Sequence, residues 1–368
     1  MSTKKNKFSK KDIKYMSLAL NLAKARHGLT GGNPSVGCVI VKNEEIISVG
    51  QTGFNGKPHS EYSAIKNSNE TLEGSTMYVT LEPCSHFGKT PPCTKEIIKN
   101  KISTVIYSIE DIDKRVKGKS FKILKSKNII VKKGLLKADM INFYKPYFFN
   151  RNNNIPYVTG KIAVSKNNLI YSKATRRITD VHSDKLTHFL RYKNDSLMIS
   201  YKTLNKDNPK LNCRLEGLSK FSPKRIILDN NLKMNTSSYI FRTANKDNTV
   251  IFYKNANINK ISKFKKKKIQ LIKSDLIKNG DFNFKLILKK LYSLGCRNLL
   301  VEGGNDLSKS IIKNKLFNQF YLFKSSKNLS KLVAYKDFNF FKELSQKYKH
   351  KEKINTQLGK DLITLYKK

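Results

Sequence analysis

The residues best equipped for chemistry lie between positions 57 and 93. Two segments stand out: K-P-H-S-E at 57–61 and T-L-E-P-C-S-H-F-G-K-T-P-P-C at 80–93. His59 and Glu61 form an H-x-E pair, Cys84 follows Pro83, and Cys93 follows Pro91-Pro92. One imidazole and two thiolates suit Zn²⁺ and leave the fourth tetrahedral position to a water. A structural site would use four protein ligands, and three are evident. His86 lies close enough to serve as a fourth, but its position better suits substrate contact. An open zinc lowers the pKa of bound water from about 15.7 toward about 7. Two thiolates cancel the charge of the metal, so the water needs a separate proton acceptor. Glu61 is the expected one. It would take the proton, the hydroxide would attack an amidine-type ring carbon, and Glu61 would pass the proton to the ring nitrogen and the departing ammonia.

The elements that must position these groups are legible in part. Residues 12–27 place Ile13, Met16, Leu20 and Ala23 at helical spacing, with Asp12 at the start and glycines 28, 31 and 32 after it. Residues 36–41 (VGCVIV) and 46–49 read as a hairpin. Then follow a helix at 60–66, a strand at 76–81, a helix at 94–100 and a strand at 104–109. That alternation implies an α/β layer. His59 falls just before one predicted helix and Cys93 opens another, where the positive end of a helix helps keep a thiolate ionised.

The polar stretch N-R-N-N-N-I-P at 150–156 breaks the pattern, so two domains are expected, 1–150 and 151–368. A second α/β series follows. Strands are expected at 157–164, 196–200, 225–228, 249–253, 298–301 and 320–323, and helices at 181–191, 284–294 and 307–314. Beyond about Lys324 the chain is lysine-rich and weakly periodic. No internal repeat is visible, and the second half lacks G-x-G-x-x-G.

Composition bounds the function classes. The 368 residues are 39% hydrophobic and 27% charged, with Lys+Arg 73 against Asp+Glu 27, a formal net charge of +46. No run approaches the ~18 apolar residues of a membrane span, and no signal peptide is read at the basic start. The five cysteines are too few, and odd in number, for a disulfide scaffold. A cytoplasmic chain with reduced thiols is expected. Cys38, Cys213 and Cys296 read as small buried hydrophobes. Lysine supplies almost all the charge, and it is spread along the chain beside many Asn and Ile residues. This looks like the codon bias of an AT-rich genome, whereas a base-reading surface concentrates arginine forks. The densest run, 263–268 around Phe264, reads as an exposed loop or strand end.

The spacing of the cysteines narrows the class. Nucleic-acid and nucleoside deaminases commonly carry P-C-x-x-C, but here eight residues separate Cys84 from Cys93. T-L-E-P-C-S-H-F-G-K-T-P-P-C resembles the riboflavin-biosynthesis deaminases that act on a diaminopyrimidinone ribosylamino-phosphate. Asn33-Pro34-Ser35-Val36-Gly37 resembles their N-P-x-V-G, and the likeness runs on through Asp111 and Gly118. It departs at Ser63, where the family often has a second histidine that is not a ligand. The resemblance implies a cytidine-deaminase-like α/β/α domain in which Asn33 and His86 contact the pyrimidine or its ribose-phosphate.

In that family the deaminase is usually fused to a reductase with a dihydrofolate-reductase-like α/β fold that uses NADPH. Here P-Y-V-T-G-K-I-A (156–163), R-R-I-T (176–179), T-L-N-K-D-N-P-K-L-N-C-R (203–214), R-I-I-L-D (225–229) and V-E-G-G (301–304) resemble its motifs. The resemblance implies cofactor contacts at Val164, Thr175, Arg177, Thr203, Asp207 and Gly304. It implies substrate contacts at Lys161, Arg191, Leu211, Arg214 and Glu302. The arginines suit a ribose-phosphate, since guanidinium forks bind phosphate bidentately. The departures lie in the same half. The family's S-L-D-G reads Ser165-Lys166-Asn167-Asn168, the tryptophan of W-I-T-S is replaced by Arg177, and A-P-K-L-L-G-G is not recognisable at 324–330.

The expectation is a bifunctional enzyme acting on a phosphorylated pyrimidine, with zinc and NADPH, and no nucleic-acid or membrane partner. Assembly into a homo-oligomer is compatible with the sequence and undecided by it. Two other readings stay open at this stage. One is a deaminase whose second half is degenerate; the other is a nucleic-acid-binding zinc deaminase, motivated by the +46 charge.

Overall fold

The structure is a computed structural model that describes residues 8–88, 91–171, 178–277, 280–329, 336–355 and 359–368. The chain divides into two compact units, 1–153 and 154–368. No helix among the described residues is long and apolar enough to cross a membrane.

Unit 1 begins with helix α1 (Lys10–Arg26), started by a capping box in which Ser9 and Asp12 bond each other's backbone N–H. The hairpin β1 (Gly37–Lys42) and β2 (Glu45–Gln51) follows. Then come α2 (Ser60–Lys66), β3 (Thr76–Leu81), α3 (Cys93–Lys99) and β4 (Thr104–Ile109). The unit closes with α4 (Lys119–Lys125), β5 (Ile130–Lys133) and α5 (Lys137–Asn153). The sheet order is β2-β1-β3-β4-β5, with β3, β4 and β5 parallel and β1 antiparallel to both of its neighbours, β2 and β3. Two glycines let helices lie directly on the hairpin. A Cβ on Gly37 would stand 1.9 Å from the Ala19 carbonyl of α1, and one on Gly50 would stand 2.2 Å from the Ser60 carbonyl of α2. Gly50 therefore sets how closely α2, which carries Glu61, approaches the sheet.

Unit 2 is built on a nine-stranded sheet. Its elements are β6 (Tyr157–Val164), β7 (Leu169–Tyr171), α6 (Val181–Lys193), β8 (Ser196–Ser200), α7 (Tyr201–Asp207) and β9 (Lys224–Leu228). They continue with α8 (Tyr239–Thr243), β10 (Thr249–Tyr253), α9 (Ile258–Lys266), β11 (Gln270–Lys273), α10 (Phe284–Ser293) and β12 (Asn298–Val301). The last are α11 (Asn305–Lys313), β13 (Gln319–Lys324), β14 (Lys336–Asp337), α12 (Phe341–Lys347), β15 (His350–Ile354) and β16 (Leu362–Lys367). The order is β11-β10-β9-β8-β12-β6-β13-β16-β15, parallel as far as β13 and antiparallel at β16 and β15. Ile226 and Leu228 face one core while Ile227 faces the other, and Val250 and Phe252 flank Ile251 in the same way. A parallel sheet covered on both faces explains the unbroken apolar runs of these strands.

Several expectations need correction. The run 150–156 is not a linker throughout, because α5 extends to Asn153. Lys263, Lys265 and Lys266 lie in the last turn of α9, with Lys267 and Lys268 in the turn after it, and Phe264 is buried against Phe241. Asp207 ends helix α7, with Asn208 left-handed at its C-cap. The weakly periodic tail holds β16, which completes the sheet beside β13. Cys38, Cys213 and Cys296 are buried, as expected.

Candidate active sites

The end of β3 and the starts of α2 and α3 bring the three expected metal ligands together. His59 is the N-cap residue of α2, and Cys93 is the first residue of α3. Cys84 sits after β3, held by the Cys93 N–H, which donates to its sulfur at 3.2 Å. His59 Nδ1 lies 3.5 Å from Cys84 Sγ and 3.4 Å from Cys93 Sγ. Zinc bonds of about 2.0–2.1 Å to nitrogen and about 2.3 Å to sulfur, at a tetrahedral angle, separate N and S by about 3.5 Å. The donor set and spacing therefore fit zinc. Among the described residues this is the one group found with metal-holding geometry, and His86 is outside it.

The electrostatics suit a cation as well. The Cys84 thiol is pulled down to about 4, first by its bond from Cys93 and then by His59, while Cys93 is pushed up by its bond to Cys84 and by burial. Glu61 stands in the first turn of α2, 4% exposed. Burial pushes its carboxyl up, and the Cys84 charge adds to this. Ser60 Oγ donates to Glu61 Oε2 at 2.8 Å.

His59, Glu61 and Cys84 line a cavity of about 520 Å³ together with Asn33 and His86. Asn33 Nδ2 donates to the Gly56 carbonyl at 3.0 Å, which fixes the amide beside the cavity. His86 Nδ1 is buried without a partner among the described residues. Sequence reasoning passed over three further wall residues, Glu82, Arg115 and Arg151. Glu82 is 3% exposed and accepts N–H bonds from Asp111 (3.3 Å), Gly118 (3.0 Å) and Ser120 (3.3 Å). It thus clamps the loop between β4 and α4. Its only signal was the Glu of L-E-P-C.

In unit 2 the expected residues fall into two groups. Arg191 and Glu302 bind each other through a fork, Nε to Oε1 at 2.6 Å and Nη2 to Oε2 at 2.7 Å. Arg191 Nη1 also donates to the Asn212 carbonyl at 3.1 Å, and Arg214 Nη1 to Asn212 Oδ1 at 3.1 Å. Burial alone would raise the Glu302 carboxyl, but the Arg191 guanidinium brings it below the ordinary value. Lys161 Nζ lies over the Phe323 ring at 4.8 Å; burial lowers its ammonium, and the nearby Glu302 opposes that.

Thr203, Asp207 and Gly304 line a separate cavity of about 290 Å³ at the start of α11. The N-cap of that helix, Gly304, offers no side-chain cap, and a Cβ there would come 3.3 Å from Thr203 Oγ1. Asn230 Oδ1 and Asn305 Oδ1, in the same wall, are buried without partners among the described residues. The Val164 side chain is wholly buried in the core, and its carbonyl accepts from Ser325 N–H. Leu211 is also a core residue, 3% exposed, so only its backbone is left for a ligand. Thr175 and Arg177 lie outside the described residues.

Comparison with known proteins agrees with this division. Residues 9–109 match the cytidine and deoxycytidylate deaminase zinc-binding region, and residues 158–331 match the RibD C-terminal domain. The class is a two-unit enzyme, a deaminase followed by a reductase. The chain is 34% identical over 97% of its length to riboflavin biosynthesis protein RibD of Aquifex aeolicus, covering 98% of that protein. With the RibD of Buchnera aphidicola it shares 33% identity over 96% of its length and 97% of that protein's. A solved deaminase/reductase from Thermotoga maritima superposes with a TM-score of 0.82 at 26% identity, over 97% of this chain and 98% of that one. The chain belongs to the RibD family and is a bifunctional deaminase and reductase of riboflavin biosynthesis.

Proposed function

We propose that unit 1 hydrolytically deaminates a diaminopyrimidinone ribosylamino-phosphate and that unit 2 reduces the ribosyl side chain of the product to ribityl with NADPH. The observation that carries the reading is the His59, Cys84 and Cys93 cluster, of which His59 and Cys84 share one cavity wall with buried Glu61. When bound there, zinc supplies the Lewis acidity that makes water a nucleophile near neutral pH. The chain supplies the rest. Glu61 takes a proton at its carboxylate, held by Ser60, and returns it to the ring nitrogen and then to the departing amine. Asn33 and His86 orient the pyrimidine. A cytoplasmic setting, where thiols stay reduced, suits two thiolate ligands.

In unit 2 the cavity at α11 fits a polar cofactor. An uncapped helix start attracts phosphate, and two buried amide oxygens await donors. NADPH would supply the hydride, directed to C1′ of the ring-opened imine. Thr203, Asp207 and Gly304 would hold it. Arg191 fixes the carboxylate of Glu302, exposed Arg214 anchors the substrate phosphate, and Lys161 positions the ring side of the substrate. The test is metal analysis of the full chain, an ammonia-release assay on the diaminopyrimidine substrate, and NADPH oxidation on the deaminated product. Zinc with ammonia release supports the first half. Ammonia release without NADPH oxidation would leave a deaminase alone.

A further inference from the structure

We propose that Arg151 is the phosphate anchor of the deaminase cavity. This rests on the deaminase reading above and adds to it a residue that reads the phosphorylated end of the substrate. Both arginines expected to bind phosphate, Arg191 and Arg214, belong to unit 2. The deaminase must hold the same phosphorylated molecule in its own cavity. A dianion brought into a partly enclosed site needs a cation there, and a guanidinium is the best match to phosphate geometry.

Arg151 meets that need. It stands in the last turn of α5 and lines the cavity shared by His59, Glu61 and Cys84. Its Nη2 donates to the Gly32 carbonyl at 3.0 Å, and its guanidinium carbon lies 5.4 Å from the centre of the Tyr147 ring. The group is therefore held in place from two sides. Among the described residues it makes no ion pair, and its other N–H groups have no acceptor. Arg115, the other arginine of the wall, is different: Nε and Nη2 are both taken by the Asp113 carboxylate, at 3.0 and 2.5 Å. Asp111 is engaged by the Tyr147 hydroxyl at 3.1 Å. The charge of Arg151 also acts on the Asp111 and Asp113 carboxylates of the same wall, but those carboxylates are bonded by Tyr147 and Arg115, so of the two wall arginines Arg151 is the one with donor capacity to spare. Composition does not account for it, since the chain has 10 arginines among its 73 basic residues.

Gly32 precedes Asn33, so Arg151 also steadies the loop that carries an expected substrate contact. The experiment must separate that support from phosphate binding. Arg151→Gln keeps a donor for the Gly32 carbonyl and removes the charge; Arg151→Lys keeps the charge. Steady-state ammonia release by the full chain is measured with the phosphorylated substrate and with its dephosphorylated form, after confirming equal zinc content. The expected result for Arg151→Gln is a KM for the phosphorylated form raised roughly 10- to 100-fold, as for loss of a charged hydrogen-bond pair. Its kcat, and the KM for the dephosphorylated form, stay near wild type, and Arg151→Lys recovers much of the loss. An unchanged KM ratio, or an equal rise for both forms, overturns the proposal and leaves the deaminase reading intact. A wild-type chain that releases no ammonia from either form sinks the deaminase reading, and this proposal with it.

Discussion

At the scale of single residues, Glu61 shows how position creates reactivity. A surface glutamate is ionised and hydrated at neutral pH. Here burial and the Cys84 sulfur raise its affinity for a proton, which is what a proton carrier between water and a leaving amine requires. Glu61→Gln keeps the shape and the bond from Ser60 but cannot carry the proton. The variant should retain zinc and lose ammonia release by about 10²- to 10⁴-fold. Metal content and ammonia assays on the same preparation check this, and near-wild-type release with zinc intact would remove Glu61 from that role. The ligand types were readable because few other side chains suit zinc. Arg151 was not, because 118 positions separate it from the Gly32 loop that it steadies, and no local pattern links them.

Among the elements, the loop between β4 and α4 is held by one buried carboxylate. Glu82 accepts two backbone N–H groups from it and a third from Ser120 in the first turn of α4, and Ser120 Oγ bonds the Pro83 carbonyl beside the expected ligand Cys84. Glu82→Ala leaves those donors buried and unpaired, at a cost of about 3 kcal/mol, and should weaken zinc retention; Glu82→Gln should restore part of both. Chemical denaturation and metal content on the two variants test it, and an Ala variant as stable as wild type would contradict the clamp. In unit 2, His188 of α6 accepts the Arg214 N–H. Burial, then the Arg191 and Arg214 charges, lower it from 6.5 to about 4. The folded chain thus excludes a proton that the unfolded chain binds, so this stability is whole above about pH 6.5 and is lost as pH falls toward 4. The urea midpoint should fall more steeply over that window for wild type than for His188→Gln, and parallel curves would rule the effect out. Central elements such as β6, β10 and β12 were legible from their apolar runs. The edge strands β5 (IVKK) and β11 (QLIK) were not, because lysine, common on exposed edges, masks the alternation.

Across the whole molecule, the units have separate cores and separate candidate chemistry. Stripping zinc with a chelator should abolish ammonia release and lower the thermal midpoint of the chain, while NADPH oxidation on deaminated substrate continues below that midpoint. Added zinc should restore the lost activity. Equal loss of both activities on chelation would mean that the metal supports more than unit 1. The sequence by itself determined the two-part α/β plan and the family, and it pointed to the expected metal ligands and the proposed proton carrier, because these rest on residue identity and on short-range spacing. Tertiary structure alone decided that Arg191 is bound to Glu302, that Val164 and Leu211 are core, and that Arg151 lines the deaminase cavity. Those facts depend on which distant segments meet, and burial, charge pairing and hydrogen-bond competition are settled only where they do.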